Sequence, residues 1–249
     1  MIRAYLQCML MALALSAAAV LPAPALAMDD YTQARQLLPH IYANLGPIST
    51  FYCSCPLTVT RSGTFRTDID LCGYRIRSDP QRARRVETEH IMPAWAFGHD
   101  MSCWKQGGRK RCGAVSRSFS AMEGDLHNLV PAIGEINANR ANFRFAEYEH
   151  GQGQYGRCAI HIDFKHRRVS PPPHTRGFIA RAYLYMAQRY SIRLSRGQRQ
   201  LFEAWDRMHA PDEQECTRNT IIASVQGNDN PFITARCQSS GSAAPAASW

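Results

Sequence analysis

The apolar positions of this chain change their period several times, and each change predicts an element. Residues 9 to 21 form an uninterrupted apolar run, MLMALALSAAAVL, preceded by Arg3 and followed by Ala25-Leu26-Ala27. A basic start, a short apolar stretch and a small-residue ending are the three parts of an export signal. The run is too short to cross a bilayer comfortably, and no later stretch is long enough either. The expected division is a signal peptide over 1–27, one domain over 28–237 and a tail over 238–249. In that tail, QSSGSAAPAASW carries no packing pattern and reads as disordered.

Helical spacing begins after Asp29 and Asp30, with Ala34, Leu37, Leu38, Ile41 and Leu45 on one face and Gly46 as a stop. Pro39 is expected to break or kink this helix. Short strand candidates follow at Leu57 to Arg61 and at Gly73 to Arg77. The stretch from Arg84 to Met92 alternates and ends at Pro93, so it reads as a strand with His90 near its end. From about His99 to Ser118 the residues are Gly, Lys and Arg rich, which predicts a long loop of the kind that often binds something. Glu123 to Asn142 reads as strand or turn, then helix, with Pro131 at the break and the helix starting near Gly134. The last third is mainly helical. Phe178, Ile179, Ala182, Tyr185 and Met186 share one stripe, and Leu201, Phe202, Trp205 and Met208 share another after a Ser195 cap. These stripes read as core. No internal repeat and no linker calls for a second domain. The fold class expected is α+β, a single mixed domain with a helix-rich C-terminal part.

Composition adds a compartment. The chain has nine cysteines, of which Cys8 falls in the signal. The other eight are Cys53, Cys55, Cys72, Cys103, Cys112, Cys158, Cys216 and Cys237, an even set that reads as four disulfides in an exported protein. A zinc site of Cys53, Cys55 and Cys72 is disfavoured, because Cys-x-Cys is not the usual zinc spacing. Eight cysteines allow on the order of 100 pairings. The one local reading is that Cys103 and Cys112, on either side of Gln106-Gly107-Gly108-Arg109, can close a short loop. The formal charge is +9, and the signal contributes only Arg3 to it. Arginine clusters stand at Arg82, Arg84 and Arg85, at Arg109 and Arg111 beside Lys110, and at Arg167 and Arg168 beside Lys165. A basic surface of this kind suits a polyanionic partner.

The chemistry centres on Glu89-His90. Cleaving a phosphodiester needs a base for water, positive charge on the phosphate oxygens and help for the departing oxygen. An imidazole titrates near neutral pH and can be the base. A carboxylate and an amide carbonyl are the oxygen ligands magnesium prefers, and an arginine binds phosphate oxygens bidentately.

Longer runs then become recognisable. Glu89-His90-Ile91-Met92-Pro93-Ala94-Trp95-Ala96-Phe97-Gly98 resembles the bacterial endonuclease I family of periplasmic and secreted nucleases. The same family is resembled by Cys103 to Lys110 (CWKQGGRK), Asp125 to Asn137 (DLHNLVPAIGEIN), Tyr155 to Cys158, Ala180 to Met186 and Gly227 to Phe232. The resemblance covers the mature chain up to its last dozen residues. It implies a ββα-metal (His-Me finger) centre, with His90 as general base and Arg109 on the scissile phosphate. Glu89 and Asn137 would hold one divalent ion, magnesium, with manganese or calcium able to substitute in binding. The implied partners are DNA and RNA without sequence specificity, with no membrane role after signal removal, a monomeric state and a periplasmic or secreted location. Glu123, His127 and Asn128 are expected to support the centre rather than react, and Glu123 is the carboxylate best suited to orient it. Two departures stand out: Thr88 occupies a position where the family commonly has an aromatic, and Ala96 one where a larger polar residue is usual.

Two alternatives belong to other classes. One is an exported basic protein that binds nucleic acid without cleaving it. The other is a zinc hydrolase using His90, Asp125 and His127, which lacks the i, i+4 histidine pair that places two ligands on one helical face. Glu89 could also be spent in an ion pair with Arg82, Arg84 or Arg85.

Overall fold

Asp30 opens the described part of the chain, residues 30–241 of a computed structural model. The expected signal at 1–27 and the end of the expected tail, 242–249, lie outside the described residues. The Asp30 carboxylate accepts the Thr32 N–H at 2.8 Å and caps helix α1 (Tyr31–Ala43). Ala34, Leu38 and Ile41 are buried against Leu126, Leu129 and Ile222. Pro39 does not break this helix, which continues to Ala43 with Pro39 itself buried. A proline inside a helix costs about 3 kcal/mol, and burial of the apolar stripe offsets that cost.

Three short strands follow, β1 (Ile48–Ser49), β2 (Pro56–Val59) and β3 (Phe65–Thr67), in an antiparallel sheet ordered β1-β2-β3. The strand expected at Gly73 to Arg77 does not form. Only Tyr74 pairs, in an isolated bridge to Gly156. The reason is a competing acceptor: the N–H groups of Arg77, Ser78 and Asp79 donate to the Glu135 carboxylate at 3.1, 2.6 and 2.8 Å. That anchor leads into helix α2 (Pro80–Ala83), with Asp79 as its cap.

Strand β4 (Val86–His90) is followed by α3 (Ala94–Gly98). The expected long loop is instead two helices, α4 (Ser102–Lys105) and α5 (Gly108–Val115), pinned together by the Cys103–Cys112 disulfide. Gly108 takes φ +65° at the turn between them, a conformation that favours glycine. Helix α6 (Arg117–Glu123) starts at the Ser116 cap, a 3-10 turn spans Leu126–Asn128, and β5 (Leu129–Ile133) runs directly into α7 (Gly134–Arg140). Pro131 lies within β5 rather than at a break, and its carbonyl accepts the Phe51 N–H at 2.8 Å. β4 and β5 pair antiparallel from Val86↔Ile133 to His90↔Leu129. Two strands and a helix thus form one ββα unit.

A third sheet, ordered β6-β8-β7, comprises β6 (Arg144–Phe145), β7 (His161–Asp163) and β8 (Arg168–Ser170). The helical third follows as α8 (Pro173–Arg189), α9 (Arg196–Met208), α10 (Glu213–Gln226) and α11 (Pro231–Gly241). Tyr185, Met186, Phe202 and Trp205 are buried as their stripes indicate, while Met208 is exposed. Buried Arg181 ties α8 to its neighbours, gripping Glu215 at 2.7 and 2.6 Å and donating to Asp206 at 3.2 Å. Helix α11 runs on past Cys237 to Gly241, four residues into the segment expected to lack structure.

The eight cysteines form four disulfides: Cys53–Cys158, Cys55–Cys72, Cys103–Cys112 and Cys216–Cys237. The fold is mixed α and β, with small sheets and a helical C-terminal part. Among the described residues no helix is long and apolar enough to cross a membrane.

Candidate active site

β4 forms the floor of a cleft of about 740 Å³, and Glu89, His90, Arg109 and Asn137 all line it. The ββα unit brings three of them together: β4 carries Glu89 and His90, and α7, entered directly from β5, carries Asn137. Arg109 arrives on the first turn of α5, held by the Cys103–Cys112 bridge. The end of β4 is fixed by Asn128, which is fully buried. Its amide accepts the Met92 N–H at 2.7 Å and donates to the Met92 carbonyl at 2.9 Å.

His90 is buried, and its Nε2 lies 2.8 Å from the Glu123 main-chain oxygen. A carbonyl can only accept, so Nε2 carries the proton and Nδ1 keeps the lone pair. Burial first, and then the Arg109 charge, hold this imidazole down at about 3, against the pull of the Glu123 carbonyl. It is therefore neutral at working pH. The Tyr31 ring lies 5.0 Å from the imidazole, and the Arg109 guanidinium lies 5.2 Å from the same ring. Arg109 also pairs with the Glu123 carboxylate and remains 46% exposed. Glu123 thus serves both cleft residues, His90 through its main chain and Arg109 through its side chain.

Glu89 is almost wholly enclosed. Tyr52 donates its hydroxyl to Oε1 at 3.0 Å, and buried Arg140 donates to the same oxygen at 3.2 Å. Burial pushes the Glu89 carboxyl up to about 7, while Arg140 and the Tyr52 bond pull it down. Arg140 further donates to the His90 and Ile91 carbonyls, so a single guanidinium closes the end of β4. The alternative ion pair between Glu89 and one of Arg82, Arg84 or Arg85 does not form. Arg82 binds Glu87 instead, at 2.8 Å through each of two nitrogens. Asn137 donates its Nδ2 to Glu87 Oε2 at 3.0 Å, which leaves Oδ1 as the open end of the amide.

This donor set suits a hard divalent ion that keeps much of its water. Two carboxylates, Glu87 and Glu89, share the cleft with the Asn137 amide oxygen, Glu87 being held by Arg82, and among the described residues no three His, Cys, Asp or Glu side chains form a cage. The zinc arrangement of His90, Asp125 and His127 has no such geometry. Asp125 is held by the Tyr185 and Tyr190 hydroxyls at 2.6 and 2.7 Å, and His127 Nε2 lies 2.9 Å from the Asn228 carbonyl. His127 is a buried structural residue whose imidazole is held low by burial.

The family model described as Endonuclease I matches residues 33–237. The chain belongs to the Endonuclease I family. A periplasmic deoxyribonuclease of Aeromonas hydrophila is 52% identical over 191 residues, covering 76% of this chain and 80% of the relative. An extracellular deoxyribonuclease of the same organism is 47% identical over 230 residues, 92% of this chain and 98% of the relative. An Endonuclease-1 of Buchnera aphidicola (subsp. Acyrthosiphon pisum, strain APS) is 41% identical over 210 residues, covering 84% and 82% of the two chains.

Set in this Endonuclease I frame, the cleft also holds residues that the sequence pattern did not single out. Tyr31 reads as the first residue of an amphipathic helix, yet it covers His90 and Arg109. Arg140 reads as the solvated end of a helix, yet none of its side chain is exposed. Tyr52, which bonds Glu89 without lining the cleft, carries no local signal at all. Glu87 was legible in principle, because a strand's period of two places it on the same side as Glu89. Thr88 lines the cleft wall.

Proposed function

We propose that this chain is an exported endonuclease that hydrolyses phosphodiester bonds of DNA, and of RNA, without sequence specificity. In this reading Glu89 and Asn137 hold one magnesium ion and His90 is the general base. The observation that carries it is the bond from His90 Nε2 to the Glu123 carbonyl, which leaves Nδ1 free in a cleft that also holds Arg109, Glu89 and Asn137. The relatives' names, periplasmic and extracellular deoxyribonuclease, support export and DNA as substrate.

Nδ1 takes a proton from water as the water oxygen bonds to phosphorus and the bridging P–O bond breaks. Arg109 contributes two N–H donors and a fixed charge to the phosphate oxygens. Burial is the larger cause of the low imidazole and Arg109 the next; a phosphodiester anion lying between Arg109 and His90 counters the Arg109 part, so substrate raises the basicity of Nδ1. When bound at Glu89 and Asn137, a divalent ion supplies charge that stabilises the phosphate and the departing oxygen. Arg35, Arg82 and Arg85 line the same cleft and suit a backbone that presents only repeated negative charge.

The test is digestion of plasmid and of RNA by the oxidised mature chain, with and without EDTA. Magnesium-dependent cleavage of both is expected, and His90→Ala should lose roughly 10²- to 10⁴-fold in rate. Undiminished cleavage by His90→Ala would remove His90 as the base. Cleavage unaffected by EDTA would remove the cation.

A further inference from the structure

We infer that Glu87 is a positioning residue for the cation site: clamped by Arg82, its carboxylate takes the Asn137 amide N–H and turns the amide oxygen toward the cation. The inference rests on the reading of Asn137 as a cation ligand and adds a residue to it. An asparagine amide has two ends of nearly equal shape and opposite chemistry, and only the oxygen can bind a cation. Something must therefore decide which end faces the cleft. A carboxylate accepts and cannot donate, so the contact of Asn137 Nδ2 with Glu87 Oε2, 3.0 Å, settles the orientation.

Glu87 is itself immobilised. Arg82 grips both of its oxygens at 2.8 Å, Nε on Oε1 and Nη2 on Oε2. Gly134, the first residue of α7, makes room for this arrangement. A Cβ there would stand 2.6 Å from the Arg82 carbonyl and 2.8 Å from Glu87 Oε1. Helix α2, strand β4 and the start of α7 therefore meet at one carboxylate, and the Asn137 amide is fastened to that junction. Without Glu87 the amide can rotate by half a turn. Its N–H groups are then drawn toward the other carboxylate of the cleft, Glu89, and the fraction of chains able to bind a cation falls. Apparent affinity falls by the same fraction. Partners that orient a ligand in this way typically change metal affinity by about 10- to 100-fold.

The experiment measures Mn²⁺ dissociation constants on the oxidised mature chain, from the electron paramagnetic resonance signal of free Mn²⁺. Each variant is first melted in EDTA to show that it is folded. Glu87→Ala should weaken binding by about tenfold or more, and Glu87→Gln, which keeps an acceptor oxygen for the amide, should fall between it and the wild type. Glu87→Met, similar in length and without an acceptor, replaces Glu87→Ala if that variant melts below the assay temperature. The deciding comparison uses Asn137→Asp, whose two oxygens make orientation irrelevant. In that background, Glu87→Ala should cost nothing. Equal losses in the wild-type and Asn137→Asp backgrounds would overturn the inference, as would unchanged binding by Glu87→Ala. Asn137→Ala binding Mn²⁺ as tightly as the wild type would remove the parent reading instead, and this inference with it.

Discussion

Glu89 and His90 are adjacent, and burial moves their protons in opposite directions. His90 is held at about 3 against an ordinary 6.5, so the folded state refuses a proton that the unfolded chain accepts. Its contribution to stability is present above pH 6.5 and is lost as pH falls toward 3, by up to about 1.4 kcal/mol per pH unit. Glu89 is raised from 4.5 to about 7, so the folded state keeps a proton that the unfolded chain releases. Its contribution is present below pH 4.5 and is lost as pH rises through 7. Acid melting curves of His90→Ala should therefore be flatter between pH 6.5 and 3 than those of the wild type. Glu89 also predicts a cation effect. If Glu89 is the magnesium ligand proposed above, the ion has to displace its proton, so calorimetric titration should show affinity falling as pH drops below 7, approaching about tenfold per unit. Unchanged affinity between pH 8 and 5.5 would argue against Glu89 as a ligand. At this scale the gathering of Glu89, His90, Arg109 and Asn137 in one cleft was readable, because the family resemblance rests on their types and order. Arg140 and Tyr52 were not. They reach Glu89 from 51 and 37 residues away, and nothing local marks an arginine as one that will be buried.

The hairpin of α4 and α5 shows how an element can matter through one side chain. Its basic, glycine-rich sequence reads as a loop, since Gly107 and Gly108 weaken helix propensity and the charges suggest solvent. The disulfide changes that balance by closing the turn from Cys103 to Cys112, a separation of nine residues. A ring of this size contributes roughly 2–3 kcal/mol in the chain-entropy account. Replacing both cysteines by serine should lower the melting temperature by a corresponding amount. The larger effect should fall on turnover, because Arg109 sits on the first turn of α5 and small misplacements near the chemistry can cost about 10²-fold. Measured kcat with the doubly substituted chain checks this, and an unchanged kcat would mean that Glu123 alone positions Arg109. The Ser195-capped helix, by contrast, was legible except at its last residue: cap and apolar stripe agree through Trp205, and only Met208 of the stripe is exposed. Pro39 and Pro131 misled for a common reason: both were read as breaks, and burial in each case outweighs the lost N–H.

Across the whole molecule the bridges tie distant parts together. Cys53–Cys158 spans 105 residues and encloses the entire ββα unit, and Cys216–Cys237 fastens α10 to α11. A loop of that size contributes on the order of 4–5 kcal/mol, comparable with the whole net stability of many domains. The reduced chain should therefore melt far lower and cleave no plasmid, and thiol treatment followed by a digestion assay checks it. The formal charge of +9 belongs to this scale as well. Substrate held mainly through phosphate should bind more weakly as salt rises, with KM climbing steeply between about 50 and 200 mM. Composition made both properties readable in advance, whereas the pairing of the bridges, apart from the local one, needed the fold.

The acceptor that fixes the His90 tautomer is a main-chain oxygen, and this has a consequence for how the centre can drift. An amino-acid replacement at position 123 alters a side chain and leaves that oxygen in place. The His90 nitrogen proposed to take the proton is thus shielded from variation at the very residue that specifies it, while the grip on Arg109, made by the same residue's carboxylate, stays open to selection.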